Sequence, residues 1–141
     1  MPYLVDGDNL LGTWPGRRRS DAERRDLAMT LGRMARRWRR RIVTVFDGHS
    51  PPAASFGADV FFSGAGRSAD DLILSTLREQ EDRRGWIVVT SDRSLGDQCR
   101  YLEARVERCD RFRRRLVEDA GGEKPDRVED VDYWLEQFGE D

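Results

Sequence analysis

Trp86-Ile87-Val88-Val89-Thr90-Ser91-Asp92 is the stretch whose reading decides the fold. Five bulky or β-branched residues run together without polar alternation, which marks a strand covered on both faces. The run then stops at a serine and an acid. Upstream, Ser68 opens a helix that is buried through Ala69, Ile73 and Leu77, and Ala58 to Phe62 before it is a further strand. Ile42 to Phe46 is β-branched and ends at Asp47-Gly48, and Tyr3-Leu4-Val5 ends at Asp6. Between those two, after a Gly/Pro/Arg loop, Ser20 starts a helix with Glu23 three residues on, a capping-box pattern. Leu27, Leu31, Met34 and Trp38 fall on one face of that helix. Downstream come a helix near 94–103, a weak strand from Arg105 to Cys109 and a helix over 110–119. Strands alternating with helices predict βαβ units, right-handed crossovers and a mainly parallel sheet, an α/β fold.

Residues 1–119 read as one domain, and 120–141 as a linker with a final acidic helix. Val128, Val131, Trp134, Leu135 and Phe138 form the apolar stripe of that helix, which is expected to dock on the domain.

A chain of 141 residues is of ordinary single-domain size. Charged residues reach 37%, against about 25% in typical domains, yet the apolar residues are gathered in short dense runs, which argues against disorder. No apolar stretch nears the roughly 18 residues of a membrane helix. Met1-Pro2-Tyr3-Leu4-Val5-Asp6 lacks the basic segment of a secretion signal. The expected location is therefore cytoplasmic. Cys99 and Cys109 have no metal-ligand spacing and read as reduced thiols. His49 is the only histidine, which excludes a His-rich zinc centre and most histidine-assisted nucleophile schemes. A bound metal would therefore be held by oxygen.

The net charge of −2 hides a strong asymmetry. Residues 17–41 carry eleven arginines against three acids, and residues 118–141 carry ten acids against Lys124 and Arg127. Arg25, Arg33, Arg36 and Arg40 project away from the apolar stripe of the first helix. They form either a solvated face or a phosphate-binding ridge, whose affinity would be salt-dependent and independent of sequence. Arg113, Arg114 and Arg115 pose the same choice.

In an open α/β sheet, ligands bind outside the carboxyl ends of the strands. Three of the expected strands end in an aspartate, Asp6, Asp47 and Asp92, and Asp70 sits in the first turn of the helix after another. Carboxylates crowded on one sheet edge repel each other, and a divalent cation relieves that repulsion. Mg²⁺ prefers carboxylate and water oxygens and leaves room for phosphates. Two such ions about 3.5–4 Å apart would clamp both oxygens of a phosphodiester displacement. Asp71 competes with this reading, since Ser68-x-x-Asp71 is a capping box. Asp97 reads as exposed surface, and Trp14 as core or a loop filler that could also stack a base.

Gly64-x-Gly66-x-x-Ala69 lies between a strand and a helix like a dinucleotide fingerprint, but no acid stands at the expected distance on the next strand except Asp92. The glycines are better read as a tight turn that lets a nucleic-acid backbone approach, with Arg67 on a phosphate. Asp6-x-Asp8 after a strand suggests a haloacid-dehalogenase-like phosphatase, which needs a lysine from the domain body. The only lysine, Lys124, is in the acidic linker.

Four blocks carry a family resemblance: Tyr-Leu-Val-Asp-Gly-Asp-Asn-Leu-Leu (3–11), Val-Phe-Asp-Gly (45–48), Phe-Ser-Gly-Ala-Gly-Arg-Ser-Ala-Asp-Asp-Leu-Ile (62–73) and Val-Val-Thr-Ser-Asp (88–92). Together, and in this order, they resemble the YacP-like NYN family, part of the PIN-like ribonucleases. The resemblance implies a PIN-like three-layer sandwich, a mainly parallel central sheet flanked by helices. It also implies metal-dependent cleavage of single-stranded RNA with Mg²⁺ or Mn²⁺, and one branch of the family is associated with the ribosome. By that resemblance Asp6, Asp70 and Asp92 would hold the metals, with Asp47 or Asp71 assisting. Asn9, Ser63, Arg67 and Ser91 would touch substrate or orient the site, with Arg36 and Arg40 on phosphates.

There are departures. Leu74 stands where members often carry Glu, and Asp8 where tyrosine is usual. The Leu74 change would pass one acid's role to Asp71, Asp97 or Asp47. It also admits a rival reading, a non-catalytic RNA- or ribosome-binding module on a degenerate nuclease scaffold.

Overall fold

The computed structural model describes residues 1–51, 56–57 and 59–122. Strand β1 (Tyr3–Asp6) is flanked by β2 (Ile42–Phe46) and β4 (Ile87–Val89), with β3 (Val60–Phe62) and β5 (Arg105–Glu107) outside them. The order is β3-β2-β1-β4-β5, and every pair is parallel. The sheet expected as mainly parallel is wholly so among the described residues. Helices α1 (Gly7–Gly12), α2 (Asp21–Trp38), α3 (Ala69–Glu79), α4 (Arg93–Tyr101) and α5 (Cys109–Gly122) connect and cover it.

Alternate residues of each strand enter opposite cores. Tyr3, Val5 and Phe46 pack with Leu10, Leu27, Leu31, Phe112 and Leu116, on the side covered by α1, α2 and α5. Leu4, Val43, Val45 and Val88 pack with Ile73, Leu77, Leu95 and Cys99, on the side of α3 and α4. With both faces covered, an inner strand has no solvent side on which a polar residue would be favoured, so the runs are continuously apolar. The result is a three-layer sandwich.

Local chemistry sets the helix ends. Ser20 accepts the Glu23 N–H at 3.2 Å and caps α2. The reciprocal half of that capping box is replaced by a 3.5 Å ion pair from the Glu23 carboxylate to Arg17. Arg39 takes a left-handed conformation (φ 54°) and closes the other end. The box on α3 is complete, with Ser68 and Asp71 each accepting the other's backbone N–H.

Several bounds differ from the sequence reading. Helix α1 replaces the start of the expected loop, directly after β1. It packs tightly there: a Cβ on Gly7 would lie 2.4 Å from the Phe46 ring, so only glycine fits. Cys109 opens α5 instead of ending β5, because the Ser91 hydroxyl accepts its N–H at 2.9 Å. Helix α5 runs on to Gly122, beyond the expected end at 119. Ala58 and the stripe from Val128 to Phe138 lie outside the described residues. Among the described residues no helix is long and apolar enough to cross a membrane.

Candidate active site

From β1 the chain moves outward through β2 to β3, then crosses back to place β4 and β5 on the other side. The strand order therefore reverses between β1 and β4, and the crevice beyond their carboxyl ends is where an open α/β sheet binds ligands. Asp6, the last residue of β1, faces it and is 5% exposed. The Thr90 hydroxyl, just past β4, donates to Asp6 Oδ2 at 3.0 Å and accepts the Asp92 N–H at 3.1 Å. From α1, Asn9 reaches back and its Oδ1 accepts the Ser91 N–H at 2.7 Å. The two strand ends are thus tied together by side chains of the site itself.

Four carboxylates share this edge. Burial pushes the Asp6 carboxyl up to about 7; the Thr90 hydroxyl opposes the rise, and the charges of Asp70 and Asp47 add to it. Asp70, in the first turn of α3, is also raised, by burial and then by the charges of Asp92, Asp47 and Asp71. Asp47 accepts the Ala69 N–H at 2.7 Å and so supports the start of α3. Asp92 caps α4 by accepting the Leu95 N–H at 3.0 Å. Each acid is held by a local backbone need, while their mutual repulsion is a property of the group.

Asp71 and Asp97 stand apart. Asp71 is exposed and engaged in the Ser68 box, whose N–H holds its carboxyl below the ordinary value. Asp97 is exposed on α4, with Arg100 at 3.4 Å.

The donor chemistry fits a hard divalent cation: carboxylate oxygens, excess negative charge, and acids raised by burial and then by one another. Asp6, Asp70, Asp92 and Asp47 are the residues that could hold one. Among the described residues, no three acids, histidines or cysteines stand close enough together to grip an ion as they are placed.

The other expected contacts divide. Arg67 follows the turn made by Gly64 (φ +83°) and Gly66 (φ +70°), is exposed, and bonds Ser75. The Ser63 hydroxyl accepts the Gly48 N–H at 2.9 Å, and that of Ser91 accepts Cys109 N–H, so both hold loops. Arg36 and Arg40 do not join the acids. Helix α2 runs back against the sheet, which leaves Arg36 exposed in its last turn. Arg40 bonds the Tyr3 hydroxyl at 2.9 Å and the Met1 carbonyl at 3.0 Å, at the opposite end of β1 from Asp6. Trp14 is 2% exposed, with the Arg17 guanidinium 4.4 Å from its ring centroid, and offers no face to a base.

Three residues that hold the site escaped the sequence reading. Thr90 lay inside a quoted block, but a β-branched residue ending a strand carries no signal beyond its strand. Asp8 was visible only in the rejected Asp6-x-Asp8 phosphatase pattern and as a departure from tyrosine. It is 3% exposed and takes a two-pronged pair from Arg24, at 2.8 and 3.0 Å. Nothing in the spacing of the two marks them as partners.

The YacP-like NYN domain model matches residues 3–121. No curated protein matches the chain. Among solved structures, a crystal structure of a mutant form of Rae1 (YacP) from Bacillus subtilis superposes with a TM-score of 0.70 at 20% identity, covering 98% of this chain and 92% of that one. Another crystal structure of Rae1 (YacP) from Bacillus subtilis gives 0.69 at 19% identity, covering 82% and 73%. At such identities these likenesses speak for the fold, the PIN-like sandwich. The family match runs from β1 into α5 and takes in every acid of the crevice, and the chain belongs to the YacP-like NYN domain family, a PIN-like nuclease family.

Proposed function

We propose that this protein is a metal-dependent endoribonuclease that hydrolyses phosphodiester bonds of single-stranded RNA. The observation that carries this reading is the convergence of Asp6, Asp47, Asp70 and Asp92 on the switch-point crevice, with Asp6 and Asp70 both raised by burial and by neighbouring acids. Asp6, Asp70 and Asp92 hold the metal, Mg²⁺ or Mn²⁺, and Asp47 assists. When bound, such ions supply Lewis-acid charge and an activated water for in-line displacement, which needs neither a histidine nor a covalent intermediate. The Thr90 hydroxyl orients Asp6, and Asn9 fixes the Ser91 backbone beside it. Arg67, exposed on the glycine turn, meets a phosphate of the strand entering the crevice. The ribosome is the setting in which such a strand would be presented, and the cytoplasm the compartment.

The rival is a binding module without turnover. It is favoured by Leu74, a 6% exposed core residue where the family often carries glutamate, and by the open spacing of the acids. Labelled single-stranded RNA incubated with Mn²⁺ or with EDTA separates the two. Cutting that needs Mn²⁺ and disappears in Asp6→Asn supports the nuclease. RNA binding with Mn²⁺ bound and no cutting supports the module.

A further inference from the structure

A chain of contacts leads from α2 to the start of α3. Arg24 of α2 grips Asp8 of α1, Nε on Oδ1 at 2.8 Å and a terminal nitrogen on Oδ2 at 3.0 Å. The same Oδ2 accepts the Asp47 N–H at 2.8 Å. Asp47 Oδ1 then accepts the N–H of Ala69 at 2.7 Å, the residue that precedes Asp70. Four elements, α1, α2, β2 and α3, are thereby coupled through two carboxylates and one guanidinium.

The pairing has a clear electrostatic sense. Asp8 would otherwise be a further buried negative charge beside a crowded acidic edge. The planar fork of Arg24 neutralises it and fixes its orientation, and a lysine would supply the charge without the fork. The Arg24 guanidinium lies 5.6 Å from the Phe46 ring centroid, which limits its freedom further. Asp8 stands where the resemblance leads one to expect tyrosine, so the pair belongs to this chain and not to the family pattern.

We infer that Arg24 and Asp8 are positioning residues: through Asp47 they set the N-terminus of α3, and with it the place of Asp70 relative to Asp6. The consequence for RNA cleavage rests on the nuclease reading above; the relay itself rests on the hydrogen bonds.

The test uses the full ¹⁵N-labelled chain with Arg24→Lys, which keeps the charge and most of the stem, and Asp8→Asn, which keeps the shape. Thermal unfolding first establishes that each variant folds. The amide resonances of Asp47 and Ala69 are then compared with wild type in metal-free buffer. Mn²⁺ affinity is measured by titration of the free ion's paramagnetic resonance signal. The expected result is a displaced Ala69 amide in both variants, although Ala69 touches neither residue. Mn²⁺ affinity falls about tenfold or more, as for other residues that orient metal ligands. On single-stranded RNA, kcat falls by a similar factor of about ten while KM stays within about twofold, since a small misplacement at the reacting centre acts on the transition state.

An Ala69 amide unmoved in two folded variants overturns the relay. So does a displaced amide with Mn²⁺ affinity and kcat unchanged. Wild-type protein that binds no Mn²⁺ and cuts no RNA overturns the nuclease reading alone, and the amide shifts then decide the relay.

Discussion

The Thr90 hydroxyl donates to Asp6 Oδ2 at 3.0 Å, across the gap between the ends of β4 and β1, from residues 84 positions apart in the chain. One oxygen therefore orients the most buried acid of the site and, by accepting the Asp92 N–H, also fixes the turn that presents Asp92.

Thr90→Val tests that joint role, because it keeps the β-branched shape and removes only the hydroxyl. The buried Asp6 carboxylate and the part-buried Asp92 N–H each lose a bond, for a destabilisation of about 1–3 kcal/mol. The Asp6 carboxyl, raised by burial, loses the bond that opposes the rise and should titrate higher than in the wild type. Chemical denaturation and carboxyl NMR titration check the two effects.

The pH dependence of stability follows from the same acid. Its carboxyl is raised in the folded state from 3.8 to about 7, so the folded chain binds a proton that the unfolded chain has already released. Stability is therefore greatest below the unfolded value and is lost as pH rises through the folded one. In EDTA the Tm should fall between pH 4 and 7 and level off above it. Asp6→Asn should flatten this decline. Mg²⁺ or Mn²⁺ should raise the wild-type Tm most above pH 7, where the acids are ionised, and should leave Asp6→Asn nearly unchanged.

Asp71→Ala separates capping from ligation. Its carboxylate accepts the Ser68 N–H at 3.2 Å, and losing that half of the box should lower the Tm slightly while the Ser68 hydroxyl still caps the Asp71 N–H. Mn²⁺ affinity should stay at the wild-type value. A variant that lost the ion would return Asp71 to the metal-binding set.

Arg17→Ala should be more damaging than any exposed arginine substitution. The Arg17 side chain, in the loop that joins α1 to α2, is 0% exposed, 2.7 Å from Asp26 and over the Trp14 ring. Asp26 is 47% exposed, so no buried charge is left behind, and the cost comes from the lost packing of the buried Arg17 stem and guanidinium on Trp14, about 1–3 kcal/mol. Arg33→Ala, on the exposed face of α2, should change stability by less than about 0.5 kcal/mol. Urea unfolding of both variants makes the comparison.

How much of this was legible in the chain itself depends on the range of the forces concerned. Tyr3 to Asp6, Ile42 to Asp47 and Trp86 to Asp92 announce buried strands that end in acids, because continuous apolar runs and turn-forming aspartates act over a few residues. The Ser68 box on α3 is equally local and was readable in full. Thus the strands, their order along the chain and the acids at their ends follow from sequence.

The tertiary structure alone decided which acids meet and what holds them. The sheet order puts β1 between β2 and β4, and this sets Asp6 on the same sheet edge as Asp47, Asp70 and Asp92 while the Ser68 box engages Asp71 elsewhere. The same placement sends Arg40 to the far end of β1 and gives Asp8 its partner Arg24, sixteen residues on. Partners such as Asp6 and Thr90, or Asp8 and Arg24, meet only after whole elements have packed. Their identity is set by the apolar burial that stacks helices on the sheet, and no local pattern in the chain encodes it.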